Sequence, residues 1–390
     1  MNVTEQTRKI ANVRAHALNV PVRMDVEGQV KELDLSVVIC EVETDDGLIG
    51  HGFTAITEER TVAAAITEVV APALVGADPL AHEALWDRLY WLMSPRGQTG
   101  YAMHAIAAVD LALWDLKGKI LGQPVWKLLG GARDRVPLYV TCGFGFLDQD
   151  ALAETARSWV DRGFTRLKMT VAGEALRRKD QRSLEQVIAE DTARVAAVRE
   201  AVGPVPRLYV DANCNLDPVH ALRLAERIAP FDIDFFEEPI QRNDVAAMSD
   251  MRMRCALPLA AGQNEGLSFR FRELLAGKAV DVLQPNVTIS GGITQAVKIA
   301  GMADAFATPI ANGGGWPFHN AHLHAGLANG GLVEWHVPAV EVCRMLYTGL
   351  PTAQAGELVM TNRPGLGFEP DWSAIRELEK RPSAAGLGKG

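Results

Sequence analysis

Leu208-Tyr209-Val210-Asp211-Ala212-Asn213 and Asp234-Phe235-Phe236-Glu237-Glu238-Pro239 are two apolar runs, each ending in acid. Asp211 and Glu237 stand 26 residues apart, and 26 residues further the run Leu259-Ala260-Ala261-Gly262-Gln263 ends in an amide. One strand, one helix and two loops fill such an interval. It is the repeat of a (β/α) barrel, whose successive strand ends meet on one rim. Two acids on that rim predict a hard-cation site, because such ions take carboxylate oxygens. The amide in third place breaks the pattern.

Working outward, further apolar runs at 137–141, 165–170, 207–212, 233–237, 257–261, 280–284, 306–311 and 332–335 predict eight strands. Helical stretches at 150–161, 184–202, 217–229, 267–276, 292–304 and 317–328 separate most of them. This alternation predicts an α/β chain with a closed parallel barrel rather than an open doubly wound sheet. Thr141-Cys142-Gly143-Phe144-Gly145 does not open a helix as a dinucleotide-binding turn would. The first third differs. Residues 12–55 read as antiparallel strands with an Asp45-Asp46-Gly47 turn, and 58–122 as helices. Ala105-Ile106-Ala107-Ala108-Val109-Asp110-Leu111-Ala112-Leu113-Trp114 is apolar enough for a buried helix, stopped by Gly122 and Pro124.

At 390 residues the chain predicts two domains, and 48% hydrophobic residues are ample for their cores. A net charge of −9 argues against nucleic acid as a partner. The charge-dense stretches are short, such as Arg177-Arg178-Lys179-Asp180. Five scattered cysteines without CxxC spacing fit a reducing compartment. The polar N-terminus suggests no signal peptide, and no run of 18 apolar residues suggests a membrane span. A cytoplasmic location is the expectation.

Six segments, in this order and at these spacings, resemble the mandelate racemase / muconate-lactonizing group of the enolase superfamily. They are Ala108-Val109-Asp110-Leu111-Ala112-Leu113-Trp114-Asp115, Lys127-Leu128-Leu129-Gly130-Gly131, Val210-Asp211-Ala212-Asn213, Phe236-Glu237-Glu238-Pro239, Gly291-Gly292-Ile293-Thr294 and Pro364-Gly365-Leu366-Gly367. The resemblance covers nearly the whole chain. It implies a modified (β/α)7β TIM barrel (131–345) and an α+β capping domain made of 1–130 and the tail 346–390. It also implies Mg²⁺, with Mn²⁺ as an alternative ion, removal of a proton next to a carboxylate, and homo-oligomers from dimers to octamers.

Asp211 and Glu237 match the family's first two metal ligands. Gln263 falls where a third Glu is usual; its carbonyl can still ligate, while Glu265, two residues on, is the alternative. Arg166 and Lys168 are two apart on one strand face, and buried cations there need a polar site. The family pattern is Lys-x-Lys with the second Lys as base, which Lys168 matches; neighbouring positive charge is expected to lower its pKa. Arg166 departs from the pattern, cannot deprotonate, and is expected to bind a carboxylate or hold Lys168. The Asp–His dyad of the racemases is replaced by Asn286 and Asn312, which remain as substrate contacts. His319, in the first turn after Pro317, is a candidate acid or substrate contact. Glu334 matches an eighth-strand Glu that binds the substrate carboxylate. Arg23 and His51 are expected in cap loops that choose the substrate.

An intact base and two acid ligands beside a lost dyad point to a lyase that dehydrates a sugar acid, an aldonate or aldarate. A racemase with an unusual second base and a non-catalytic ligand-binding barrel are the alternatives.

Overall fold

The computed structural model describes residues 8–26, 28–93, 98–173 and 182–381. The charged run Arg177-Arg178-Lys179-Asp180 and the chain end 382–390 lie outside the described residues.

The N-terminal part is a three-stranded antiparallel sheet of β1 (Ile10–Val26), β2 (Gln29–Thr44) and β3 (Ile49–Ala55). Helices α1 (His82–Met93) and α2 (Tyr101–Leu121) follow. The Asp-Gly turn closes where predicted, with Gly47 at φ +85°. β3 alternates Gly50-His51-Gly52, and both glycines face the Ala-rich α2. A Cβ on Gly52 would lie 1.9 Å from the Ala108 carbonyl oxygen, so glycine lets strand and helix backbones touch.

β4 (Arg135–Gly143), β5 (Arg166–Thr170), β6 (Arg207–Asp211), β7 (Ile233–Glu237), β8 (Leu259–Ala261) and β9 (Val282–Leu283) pair in parallel, in sequence order. β10 (Val333–His336) returns to β4 and closes the ring. The seventh strand position is reduced to two bridges, Leu283 to Ile310 and Ala311 to Leu332. The expected strand at 306–311 is shorter because Phe306 still caps the preceding helix and Ala307 turns at φ +52°.

Helices α3 (Gln149–Asp161), α4 (Leu184–Val202), α5 (Pro218–Ile228), α6 (Val245–Arg254), α7 (Ser268–Ala276), α8 (Gly292–Ala305) and α9 (Pro317–Gly326) run between the strand positions. The apolar pattern did not predict α6. It buries only Met248 and Met251, so it has no apolar stripe; its one clear signal is the N-cap Asp244, which accepts from the Ala247 N–H. β10 leads into a further helix, α10 (Val337–Leu346).

The tail ties the parts together. β11 (Tyr347–Thr348) pairs with β14 (Glu369–Pro370), while β12 (Ala353–Gln354) and β13 (Glu357–Val359) form a hairpin on β4. The last helix, α11 (Trp372–Leu378), is followed by Glu379, which accepts from His16 of β1 at 2.7 Å. Among the described residues no helix is long and apolar enough to cross a membrane. The five cysteines are free.

Asp110 of α2 joins the N-terminal part to the barrel. It accepts from the Thr294 backbone N–H at 3.0 Å and the Thr294 hydroxyl at 2.5 Å, and so caps the first turn of α8. Burial pushes its carboxyl up to about 7, against the pull of the Thr294 donors. The folded value thus lies above the unfolded one, near 4. Its contribution is complete below about pH 4 and is lost as pH rises through about 7, a change on the order of 4 kcal/mol. Denaturant unfolding of wild type and Asp110→Asn at pH 4 and pH 8 checks this. The wild type should lose stability relative to the variant at the higher pH; a gap that does not move with pH disproves the assignment.

Candidate active site

Four strands each deliver one charged side chain to the C-terminal rim. Alternation along β5, β6, β7 and β10 turns Lys168, Asp211, Glu237 and Glu334 inward. Tyr139, Tyr209, Phe235 and Ala260 pack together as an apolar floor inside the barrel, with the Lys168 ammonium 5.4 Å from the Tyr139 ring centroid. Lys168 Nζ lies 3.1 Å from Asp211 Oδ2, 2.7 Å from Glu237 Oε2 and 2.9 Å from Glu334 Oε1, and all four side chains are buried. Glu334 also accepts from the Thr141 hydroxyl and, at 2.6 Å, from the Gly315 N–H.

One ammonium among three carboxylates leaves two surplus negative charges in a buried site. Burial works against the Lys168 charge, yet the carboxylates of Glu237, Glu334 and Asp211 hold its pKa well above the ordinary lysine value. The expectation of a lowered value rested on Arg166 and a metal ion as neighbours; Arg166 shares none of these contacts, and the three acids act the other way. Burial, then the charge of Asp211, pushes Glu237 well above the usual carboxylate range. Glu334 goes down: burial opposes its charge most, but Lys168, His336 and the Thr141 hydroxyl together outweigh it.

The residues fit a divalent cation. Glu237 Oε1 is buried and has no hydrogen-bond partner, and the nearby donors are all oxygens, as a hard ion requires. No three His, Cys, Asp or Glu side chains among the described residues gather as a metal cluster. An ion here would therefore draw on two carboxylates and the Gln263 amide oxygen. Glu265 is committed elsewhere, 3.0 Å from Arg270 Nε.

Six other predicted positions do not join this group. Arg166 sits level with Arg207 at the opposite end of its strand, two residues below Lys168, and shares none of the Lys168 partners. It therefore does not hold Lys168. Arg23 is in β1, not a loop; it is exposed and faces Asp25 at 3.2 Å and Glu32 at 3.5 Å. His51 is buried in β3, where its Nε2 donates to the Phe368 carbonyl at 2.7 Å and its backbone N–H to Asp115. His319 is fully buried: it stacks on Phe53 at 4.8 Å, sits against Tyr347 and Phe368, and has no hydrogen-bond partner on either ring nitrogen. Asn286 is a loop clamp. Its Oδ1 accepts from the Thr288 N–H and hydroxyl and from Asn320, and its amide donates to the Gly313 carbonyl. Asn312 splints two strand ends: its Oδ1 accepts from the Glu334 N–H and its amide donates to Gly313.

Two features escaped the sequence reading. His336 lies two residues beyond Glu334 on the same inward face, and alternation along β10 would have found it. Its Nδ1 accepts from the Ala339 N–H at 3.4 Å to cap α10, which leaves Nε2 as the protonated nitrogen. Its ring meets Phe144 edge-on at 5.7 Å. The second feature is Glu238, buried and ringed by the amides of Asn243, Gln263 and Asn264. The loops around it are strained: Asn213, Cys214, Glu238, Arg242 and Asn243 all have positive φ. Such strain concentrates where surrounding structure over-determines a functional site.

The mandelate racemase / muconate lactonizing enzyme N-terminal domain model matches residues 8–130, and the enolase C-terminal domain-like model matches 151–374. The chain is 30% identical to an arabinonate dehydratase of Saccharolobus solfataricus over 344 residues, 86% of this chain and 89% of that one. It is also 30% identical to an L-talarate/galactarate dehydratase of Salmonella typhimurium over 368 residues, 91% and 87% of the two chains. Among solved structures, L-talarate dehydratase from Polaromonas sp. JS666, complexed with Mg and L-glucarate, superposes with a TM-score of 0.83. That pair is 29% identical, with 96% of this chain and 98% of the other covered.

Proposed function

We propose, for a chain that belongs to the mandelate racemase / muconate lactonizing enzyme group of the enolase superfamily, that it removes the proton α to a carboxylate and eliminates water from a sugar acid. The observation that carries this reading is the buried contact of Lys168 with Asp211, Glu237 and Glu334 at one barrel rim. The related dehydratases and the Mg-bound neighbour support it.

Asp211, Glu237 and the Gln263 oxygen would hold Mg²⁺, or Mn²⁺ in its place. When bound, the ion supplies positive charge that stabilises the developing anion and takes up the two acids that otherwise hold the proton on Lys168. Lys168 Nζ takes the α-proton and, as the β carbon–oxygen bond breaks, the ammonium so formed returns it to the departing hydroxide, which leaves as water; the enol then takes a solvent proton at C3 and becomes a 2-keto acid. Glu334 fixes Lys168 from the eighth strand and aligns the Gly315 N–H. The aromatic floor keeps water from reaching the base from below. His336 presents its Nε2–H at the mouth, as a donor to a substrate oxygen.

Racemisation needs a second base, and the amides at Asn286 and Asn312 can neither take nor give a proton at neutral pH. A barrel that only binds leaves the buried base and its acids without purpose. The unit built from 1–130 and 346–390 caps the barrel of 131–345 in this reading, and a cytoplasmic homo-oligomer is part of it.

The test is a panel of aldonates and aldarates incubated with the full chain and Mg²⁺, assayed for 2-keto acid as the semicarbazone. Turnover of one or a few stereochemically related acids is expected. Quantitative recovery of every acid unchanged would refute the proposal.

A further inference from the structure

We infer that Glu238 is a positioning residue that turns Gln263 into a third, neutral oxygen ligand for the cation. The inference rests on the divalent-cation site proposed above. It begins with a constraint on the Gln263 amide, whose two ends are otherwise hard to tell apart. Glu238 Oε2 lies 2.8 Å from one end of that amide. A carboxylate only accepts, so that end is the nitrogen. The oxygen therefore points the other way.

Glu238 is itself held against rotation. Asn243 donates to its Oε1 at 2.8 Å, and Asn264 to Oε1 at 3.0 Å and Oε2 at 2.9 Å. Its backbone N–H donates to the Ala260 carbonyl at 2.9 Å, and its carbonyl accepts from the Cys214 N–H at 2.8 Å. No other group among the described residues donates to Gln263 Oε1.

Two neighbouring glycines show where that oxygen faces. A Cβ on Gly314 would lie 3.1 Å from Gln263 Oε1, and a Cβ on Gly313 would lie 3.0 Å from the unpartnered Glu237 Oε1. Both free oxygens thus flank one bare backbone step. A second acid at 263 would face Glu238 with no proton between them. The amide satisfies Glu238 with its nitrogen end and aims its oxygen end at the site.

The test is a swap, read by calorimetric titration of the purified full-length protein with Mg²⁺ and with Mn²⁺, without substrate. Glu238→Gln lets the Gln263 amide turn over and should weaken cation binding by about 10- to 100-fold, the usual cost of losing an outer support. Gln263→Glu alone places two carboxylates in contact and should lower Tm. The double variant Glu238→Gln/Gln263→Glu restores a donor–acceptor pair with an anionic ligand at 263. It should fold and bind the cation at least as tightly as wild type. If folded Glu238→Gln loses less than 10-fold in affinity, the inference fails. Should that single variant not fold, the swap decides: weaker binding than wild type, or failure to fold, overturns it. Because no turnover is measured, a chain that binds the ion in this pattern but dehydrates nothing would sink the proposed activity and leave this inference standing.

Discussion

Lys168→Arg is expected to abolish turnover, by about 10³-fold or more, in a protein that still folds. Arginine keeps the positive charge among Asp211, Glu237 and Glu334, but a guanidinium does not give up its proton at any working pH. General-base catalysis of the usual size is therefore lost with little change in charge balance. Lys168→Ala makes the contrast. It leaves three carboxylates, buried and within about 3 Å of the vanished ammonium, without a counter-charge. Breaking a buried ion pair from one side typically costs about 3–5 kcal/mol. The alanine variant should therefore unfold at markedly lower denaturant concentration, whereas the arginine variant should not. Measuring kcat and denaturant midpoint for both separates the roles of base and counter-ion. A Lys168→Arg protein with near wild-type kcat would end the assignment of Lys168 as base.

Glu237→Gln has the opposite sign in the two states of the site. In the cation-free protein it removes a charge that burial and Asp211 already disfavour at this carboxyl. The midpoint Tm should then rise above wild type. With Mg²⁺ added, wild type gains stability by mass action, about 2.7 kcal/mol at 100 times Kd, and Glu237→Gln should gain almost none. The two melting curves should therefore cross over as Mg²⁺ is added, and 2-keto acid formation should fall by at least 10³-fold. A variant that is less stable without Mg²⁺, and equally stabilised by it, would show that Glu237 is a structural acid and not a ligand.

The barrel was readable because strand ends recur at a fixed interval and the helices between them carry apolar stripes. α6 was not readable, since two buried methionines make no stripe. Lys168, Asp211, Glu237 and Glu334 stand where alternation and the family pattern placed them, facing inward, with Asp211 and Glu237 at the ends of their strands. The errors share one physical cause: sequence gives the face of a strand but not the height along it, nor what closes over it. Arg166 shares a face with Lys168 but lies at the other end of the strand. His319 begins a helix near the rim, but Phe53, Tyr347 and Phe368 seal it off. Residue type misled for Asn286 and Asn312, because an amide at a dyad position serves equally well as a clamp. Glu238 stood in the opening motif, but its amide collar is assembled from two loops, one after β7 and one after β8, that only the fold brings together.

The most direct measurement is proton NMR of the reaction in D₂O, with Mg²⁺ and a sugar acid that the protein turns over. The account predicts a 2-keto-3-deoxy acid carrying solvent deuterium at C3, with no deuterium in recovered substrate beyond slow back-exchange. Recovered acid with deuterium at C2 and its C3 hydroxyl retained would contradict it, and would make the protein a racemase or epimerase.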